Sequence, residues 1–274
     1  MCAAWPNPAA APIAGATFDR RIARQTPMTG LRSLLFTLYL WGSALVLGVL
    51  CLPALLDQRA SMAVSKVWAR SCLGALRLLC GLDYRVENPE RLPRGAGVVA
   101  VKHQAMWETL ALTVLLDQPC FVLKKELASI PVFGWYCRAD GFLFIDRAAG
   151  AKALREMTAG AKAAAAREAQ LIIFPEGTRV PPGETKPYQP GVAALVKVTG
   201  LPCVPIAHDA GMYWRHPGLV RLPGTVTMRV LEPIPADTPR AALLRELEAR
   251  IEPASRALEA AAPHPLPQPA ESAA

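Results

Sequence analysis

This chain of 274 residues is most informative first in what it lacks. Its seven cysteines (Cys2, Cys51, Cys72, Cys80, Cys120, Cys137 and Cys203) are odd in number and scattered, and none forms a C-x-x-C pair. That excludes a disulfide framework, gives no zinc pattern, and reads as reduced thiols in a cytosolic setting. There is no G-x-S-x-G elbow and no cysteine beside a histidine, so an enzyme of this sequence has no evident nucleophile of its own. His208 and His216 stand eight apart in a late segment, and no other histidine or acid lies at metal-ligand spacing; no metal is expected. No repeat appears at solenoid periods. No basic-aromatic block of an RNA-binding kind accompanies the basic residues, so nucleic acid is not the expected partner. Finally, charge is missing altogether from Leu34 to Leu56, "LLFTLYLWGSALVLGVLCLPALL".

What is present bounds the rest. With 52% hydrophobic residues the chain can bury a full core, and the +8 net charge favours anionic partners such as phospholipid headgroups or phosphorylated substrates. The uncharged run has the length that spans a bilayer core, and more than thirty residues precede it, unlike a secretory signal. Arginines flank it on both sides, and Gly42, Gly48 and Pro53 can bend it, so a single span and a re-entrant, monotopic hairpin both fit. From Ser61 to Leu82, winding at a helical period gathers Lys66, Arg70 and Arg77 on one face. Val64, Trp68, Leu78, Leu79 and Leu82 gather on the other, the pattern of an interfacial helix that meets anionic lipid or of a core helix with a solvated basic face.

The organisation expected is a flexible Ala/Pro-rich leader (1–30), membrane-associating helices (31–82), a catalytic domain (83–262) and a disordered tail (263–274). Within the domain, short apolar runs alternate with helical stretches: "GVVAV", Ala105 to Leu116, "CFVL", "GFLFI", Ala149 to Glu168, "LIIF", Gly191 to Thr199, "CVPIA" and "TVTMRVL". Continuous apolar strands separated by helices predict an α/β fold with a buried, mostly parallel sheet. A last helix from Arg240 to Ala262 carries alternating charge and is expected to pack outside.

In such sheets ligands lie beyond the carboxyl ends of the strands. That is where the polar clusters fall. His103 follows "GVVAV", Asp146 and Arg147 follow "GFLFI", and Glu176, Gly177, Thr178 and Arg179 follow "LIIFP". Glu108, five positions after His103, is placed to bond one ring nitrogen, fix the tautomer and leave the other nitrogen free to take a proton. Without a nucleophile in the chain, His103 would act as general base toward a hydroxyl of the substrate. Arg147 and Arg179 can each bind a phosphate through paired hydrogen bonds, or stand as surface ion-pair residues.

Four blocks in order, "HQAMWE" (His103 to Glu108), "GFLFIDR" (Gly141 to Arg147), "FPEGTR" (Phe174 to Arg179) and "VPI" (Val204 to Ile206), resemble the glycerolipid acyltransferase family in its bacterial lysophosphatidate branch. Glu108 stands where aspartate is commoner, and Lys102 where a small polar residue often precedes the histidine. The resemblance implies transfer of an acyl chain from an acyl carrier protein or coenzyme A thioester to the sn-2 hydroxyl of 1-acylglycerol-3-phosphate, giving phosphatidate for phospholipid synthesis. It implies His103 as base and Glu108 as its orienting acid. Arg147, Glu176, Gly177, Thr178 and Arg179 would bind substrate. No cofactor is expected besides the thioester co-substrate, and the setting would be the cytoplasmic face of the inner membrane. Transfer to another lysophospholipid, thioester hydrolysis, and a catalytically silent membrane adaptor are the alternatives.

Overall fold

The computed structural model describes residues 27–146 and 149–266. A helix α1 (Pro27–Leu50) leads through a 3-10 turn at Leu52–Leu56 into α2 (Gln58–Ala75), which tightens into a π turn at Leu76–Cys80. Pro53 starts the 3-10 turn, and Asp57 caps α2 by accepting the Ala60 amide at 2.8 Å. There follow β1 (Leu82–Glu87), β2 (Gly97–Val101), α3 (Trp107–Leu115), β3 (Pro119–Lys124), α4 (Phe133–Ala139), β4 (Leu143–Ile145), α5 (Ala151–Ala166), β5 (Gln170–Ile173), α6 (Gly191–Thr199), β6 (Cys203–His208), β7 (Gly224–Val230) and α7 (Arg240–Ala261).

The strands form one sheet in the order β1-β7-β6-β2-β5-β3-β4, with every pairing parallel except β6 with β7. Every residue of β2, β5 and β6 is buried, and all of β3 but its last residue. Two-sided burial is why those segments read as unbroken apolar runs. Because β2, β3, β5 and β6 run the same way, the loops after them open on one edge of the sheet.

The N-terminal hairpin is fastened to this domain at both ends. Ser33, Phe36 and Leu40 bury one face of α1. Trp214 meets the Phe36 ring edge-on at 5.5 Å, and the Arg221 guanidinium donates to Thr37 Oγ1 at 2.7 Å. Near the other end, the Tyr136 hydroxyl donates to the Cys51 carbonyl at 2.8 Å. The opposite face leaves Leu34, Leu38, Trp41, Leu45 and Leu50 exposed. Met28–Leu50 is long and apolar enough to cross a membrane, but the chain turns back at Pro53 and α2 packs on α1 and α3.

Several expectations are corrected. Helix α1 begins at Pro27, inside the expected leader; residues 1–26 lie outside the described residues. The expected tail starts with packed chain: His264 Nε2 donates to the Pro223 carbonyl at 2.7 Å, and its ring meets Tyr213 edge-on; residues 267–274 lie outside the description. Lys66 does not face lipid. Its ammonium donates to the carbonyls of Leu116 and Asp117 at 2.7 and 2.9 Å, at the end of α3 where unpaired carbonyls gather negative charge. Leu82 belongs to β1 rather than to the helix. Helix α7 is not merely an outer layer, since it buries Glu252, Ser255 and Glu259 beside its leucines.

Candidate active site

The loop between β2 and α3 carries His103, and the first turn of α3 carries Glu108. Both are buried, and His103 Nδ1 bonds Glu108 Oε1 in a very short contact. The same oxygen accepts the Ala105 amide at 3.1 Å, so the carboxylate also closes the turn that starts the helix. With Oε1 as the acceptor of both bonds, the ring proton sits on Nδ1 and Nε2 is the basic nitrogen. The His103 ring stacks on Phe174, at the end of β5, with centroids 4.5 Å apart.

Burial opposes charge on either partner: it holds His103 well below its ordinary pKa and raises that of Glu108. The Arg179 charge lowers both: the imidazole is held neutral, the state in which it can take a proton, while burial pushes Glu108 up to about 8 against that charge and its backbone hydrogen bonds.

Arg179 is set by the turn after β5. Gly177 has φ +70°, a left-handed conformation open to glycine, and its amide bonds the Phe174 carbonyl at 3.0 Å. The turn places Thr178 outward and leaves Arg179 half-buried. The Val180 amide then bonds the His103 carbonyl at 3.4 Å, joining this block to the histidine loop. Arg179 Nη1 also lies 3.3 Å from His216 Nδ1, so His216 stands at the same mouth. Nothing in the sequence marked it beyond a histidine in a late segment.

Glu176 is placed differently from its expected part in holding substrate phosphate. It points into the interior, buried, with neither carboxylate oxygen hydrogen-bonded among the described residues. Burial raises its pKa well above the usual carboxylate range, and the nearby Lys102 charge opposes the rise. Aimed inward, this buried acid shapes the floor of the site. Lys102 faces neither phosphate nor solvent. It is fully buried and donates to Glu252 Oε2 at 2.9 Å. Arg147 lies outside the described residues. Among the described residues no cluster of three or more histidines, cysteines or acids could hold a metal ion.

An apolar cavity of about 220 Å³ adjoins the site. Residues of α1, α2, α3 and α4 line it, among them Trp41, Leu45, Trp68, Thr113 and Phe133. Met106 and Phe121 bring it to the catalytic loop: Phe121 stacks with Phe174 at 6.5 Å, and Phe174 stacks on His103.

A buried histidine bonded to a carboxylate, on a mostly parallel sheet and beside an apolar cavity, with no serine or cysteine bonded to the histidine among the described residues, fits a group-transfer enzyme. Residues 83–209 match the family model described as Acyltransferase. A relative from Pseudomonas aeruginosa, 1-acyl-sn-glycerol-3-phosphate acyltransferase, is 34% identical over 225 residues, 81% of this chain and 88% of its own. The chain therefore belongs to the acyltransferase family, and to its glycerolipid branch. The human 1-acyl-sn-glycerol-3-phosphate acyltransferase beta is 28% identical over 158 residues, 57% of each chain. The crystal structure of the 1-acyl-sn-glycerophosphate acyltransferase PlsC from Thermotoga maritima shares the fold, with TM-score 0.69 at 22% identity over 85% of this chain and 97% of that one.

Proposed function

We propose that this enzyme transfers an acyl chain from a thioester of acyl carrier protein or coenzyme A to the sn-2 hydroxyl of 1-acylglycerol-3-phosphate, forming phosphatidate in phospholipid synthesis. The observation that carries this reading is the bonded His103–Glu108 pair at the carboxyl edge of the sheet, one aromatic stack away from an apolar cavity. His103 Nε2 takes the hydroxyl proton while Glu108 steadies the imidazolium. The oxygen attacks the thioester carbonyl, the tetrahedral adduct expels the thiolate, and the imidazolium returns its proton to sulfur. The acyl chain occupies the cavity, whose walls hold few polar groups. Arg179 takes the acceptor phosphate by charge-assisted hydrogen bonds at the mouth, with Arg147 in the same role by resemblance to the family. Gly177 and Thr178 shape the turn that presents Arg179.

The hairpin supports a monotopic setting, and the family resemblance would place it at the cytoplasmic face of the inner membrane. One face of α1 is packed on the domain and the other exposes apolar side chains, so the helix suits partial insertion beside anionic lipid better than a free span. The reading is tested by product analysis: purified enzyme in vesicles, a labelled acyl thioester, and lysophosphatidate against other lysophospholipids. Phosphatidate as the preferred product supports it. Preference for another acceptor, or release of free fatty acid alone, contradicts it.

A further inference from the structure

The two residues flanking His103 reach away from the substrate, toward a helix beyond the residues that match the family model. Lys102 Nζ donates to Glu252 Oε2 at 2.9 Å, and the Tyr188 hydroxyl donates to the other oxygen of Glu252 at 2.7 Å. Two helical turns further along α7, Glu259 Oε1 accepts from Gln104 Nε2 at 2.5 Å. The other end of the Gln104 amide accepts the Gly211 amide at 2.8 Å. A β-carbon at Gly211 would lie 2.7 Å from the Gln104 β-carbon, so this approach is open only to glycine. The Lys102 carbonyl accepts from His208 Nε2 at 3.2 Å, and the His103 carbonyl accepts the Val180 amide at 3.4 Å. Residues 102–104 are thus held through two side chains and two carbonyls, and the two side chains both end on α7.

A buried ion pair is a poor device for stability, because the desolvation of both charges offsets most of their attraction; packed apolar residues would hold the fold as well or better. Ordering a lysine and two glutamates also costs side-chain entropy. What such a network gives is one allowed length and direction. An apolar contact tolerates sliding, whereas a displaced buried donor loses its acceptor. The imidazole must meet the acceptor hydroxyl within a fraction of an ångström, and among the described residues its own side chain is fixed by Glu108 and by the Phe174 ring.

We propose that Glu252 and Glu259 of α7 are positioning residues for acyl transfer, acting on His103 through Lys102 and Gln104. The proposal rests on His103 being the base. Neither glutamate touches substrate, so loss of their bonds should lower kcat and leave the KM of donor and acceptor alone.

The test uses the full chain in lipid vesicles, assayed well below each variant's melting temperature. The triple variant K102M/Y188F/E252L removes the Lys102–Glu252–Tyr188 network while keeping the site filled, and Glu259→Leu removes the Gln104 bond alone if the triple variant does not fold. Expected is a kcat about tenfold or more below wild type in both, with both KM values within about twofold, even where the triple variant melts as high as wild type. Wild-type kcat in a folded variant, or a change in KM with kcat unaltered, would overturn the proposal. His103→Ala in the same series separates the two readings. If it stays active the base assignment itself fails, whereas an inactive His103→Ala beside fully active α7 variants removes only the role of α7.

Discussion

His103 stands between two walls that bury opposite chemistry. On one side α1, α2 and α4 enclose the apolar cavity, where the one carboxyl, Asp140, is met by Ser61 and Ser65 hydroxyls at 2.6 Å each. On the other side α7 and the turn after β5 bring Glu176, Glu252 and Glu259 around Lys102. An apolar wall has no directional bonds, so it accepts guests of differing shape and selects them by size. A polar wall forbids displacement, since each buried group that loses its partner costs about 1–3 kcal/mol. On the proposed reading the work is divided: the N-terminal hairpin would house the variable part of the substrate, and the C-terminal helix would keep the invariant chemistry in register.

The largest effect is expected where the walls meet. Glu108→Ala should lower kcat by about a thousandfold with little change in KM, because the imidazole loses the acceptor that fixes its tautomer; initial-rate kinetics over both substrates check this. On the polar wall, Lys102→Ala leaves Glu252 without its buried cation and should destabilise the fold by about 3–5 kcal/mol, read by chemical unfolding. An unchanged midpoint would mean that the wall is not held by charge. On the apolar wall, Ala44→Phe narrows the cavity and should shift the preference between short and long acyl thioesters by about tenfold toward the shorter chain. Competition assays with mixed donors check it, and an equal loss for all chain lengths would break the division of work.

A pH dependence follows from Asp140, which burial pushes up to about 6 from an ordinary 3.8, against the two serine hydroxyls that lower it. A raised carboxyl contributes stability below the unfolded pKa and loses it as pH rises through the folded one. Wild-type unfolding free energy should therefore fall between about pH 4 and 6, by at most about 3 kcal/mol, and Asp140→Asn should flatten that slope. Unfolding curves at several pH values give the answer.

The parts of this structure that were legible in the sequence are those whose signal is local. Continuous apolar runs announced β2, β5 and β6, and the expected helix Gly191 to Thr199 is the observed α6. His103 and Glu108 lie on one loop and one helical turn, so their spacing was enough. Lys102 was not legible, because its partner is 150 positions away and a lysine beside a strand end looks solvated. The alternating charges of α7 looked like a surface helix for the same reason, although two of its glutamates point inward. The stretch 34–50 of α1 carries no charge to mark a face, so which face packs on the domain emerges only from contacts such as Phe36 with Trp214.

The most direct test of the account is acyl transfer from a labelled thioester to lysophosphatidate by wild type and His103→Ala, with folding of both verified by melting temperature. The account predicts phosphatidate from wild type and at least about a thousandfold less from folded His103→Ala. Phosphatidate formed by both at similar rates would contradict it and move the base away from the β2–α3 loop.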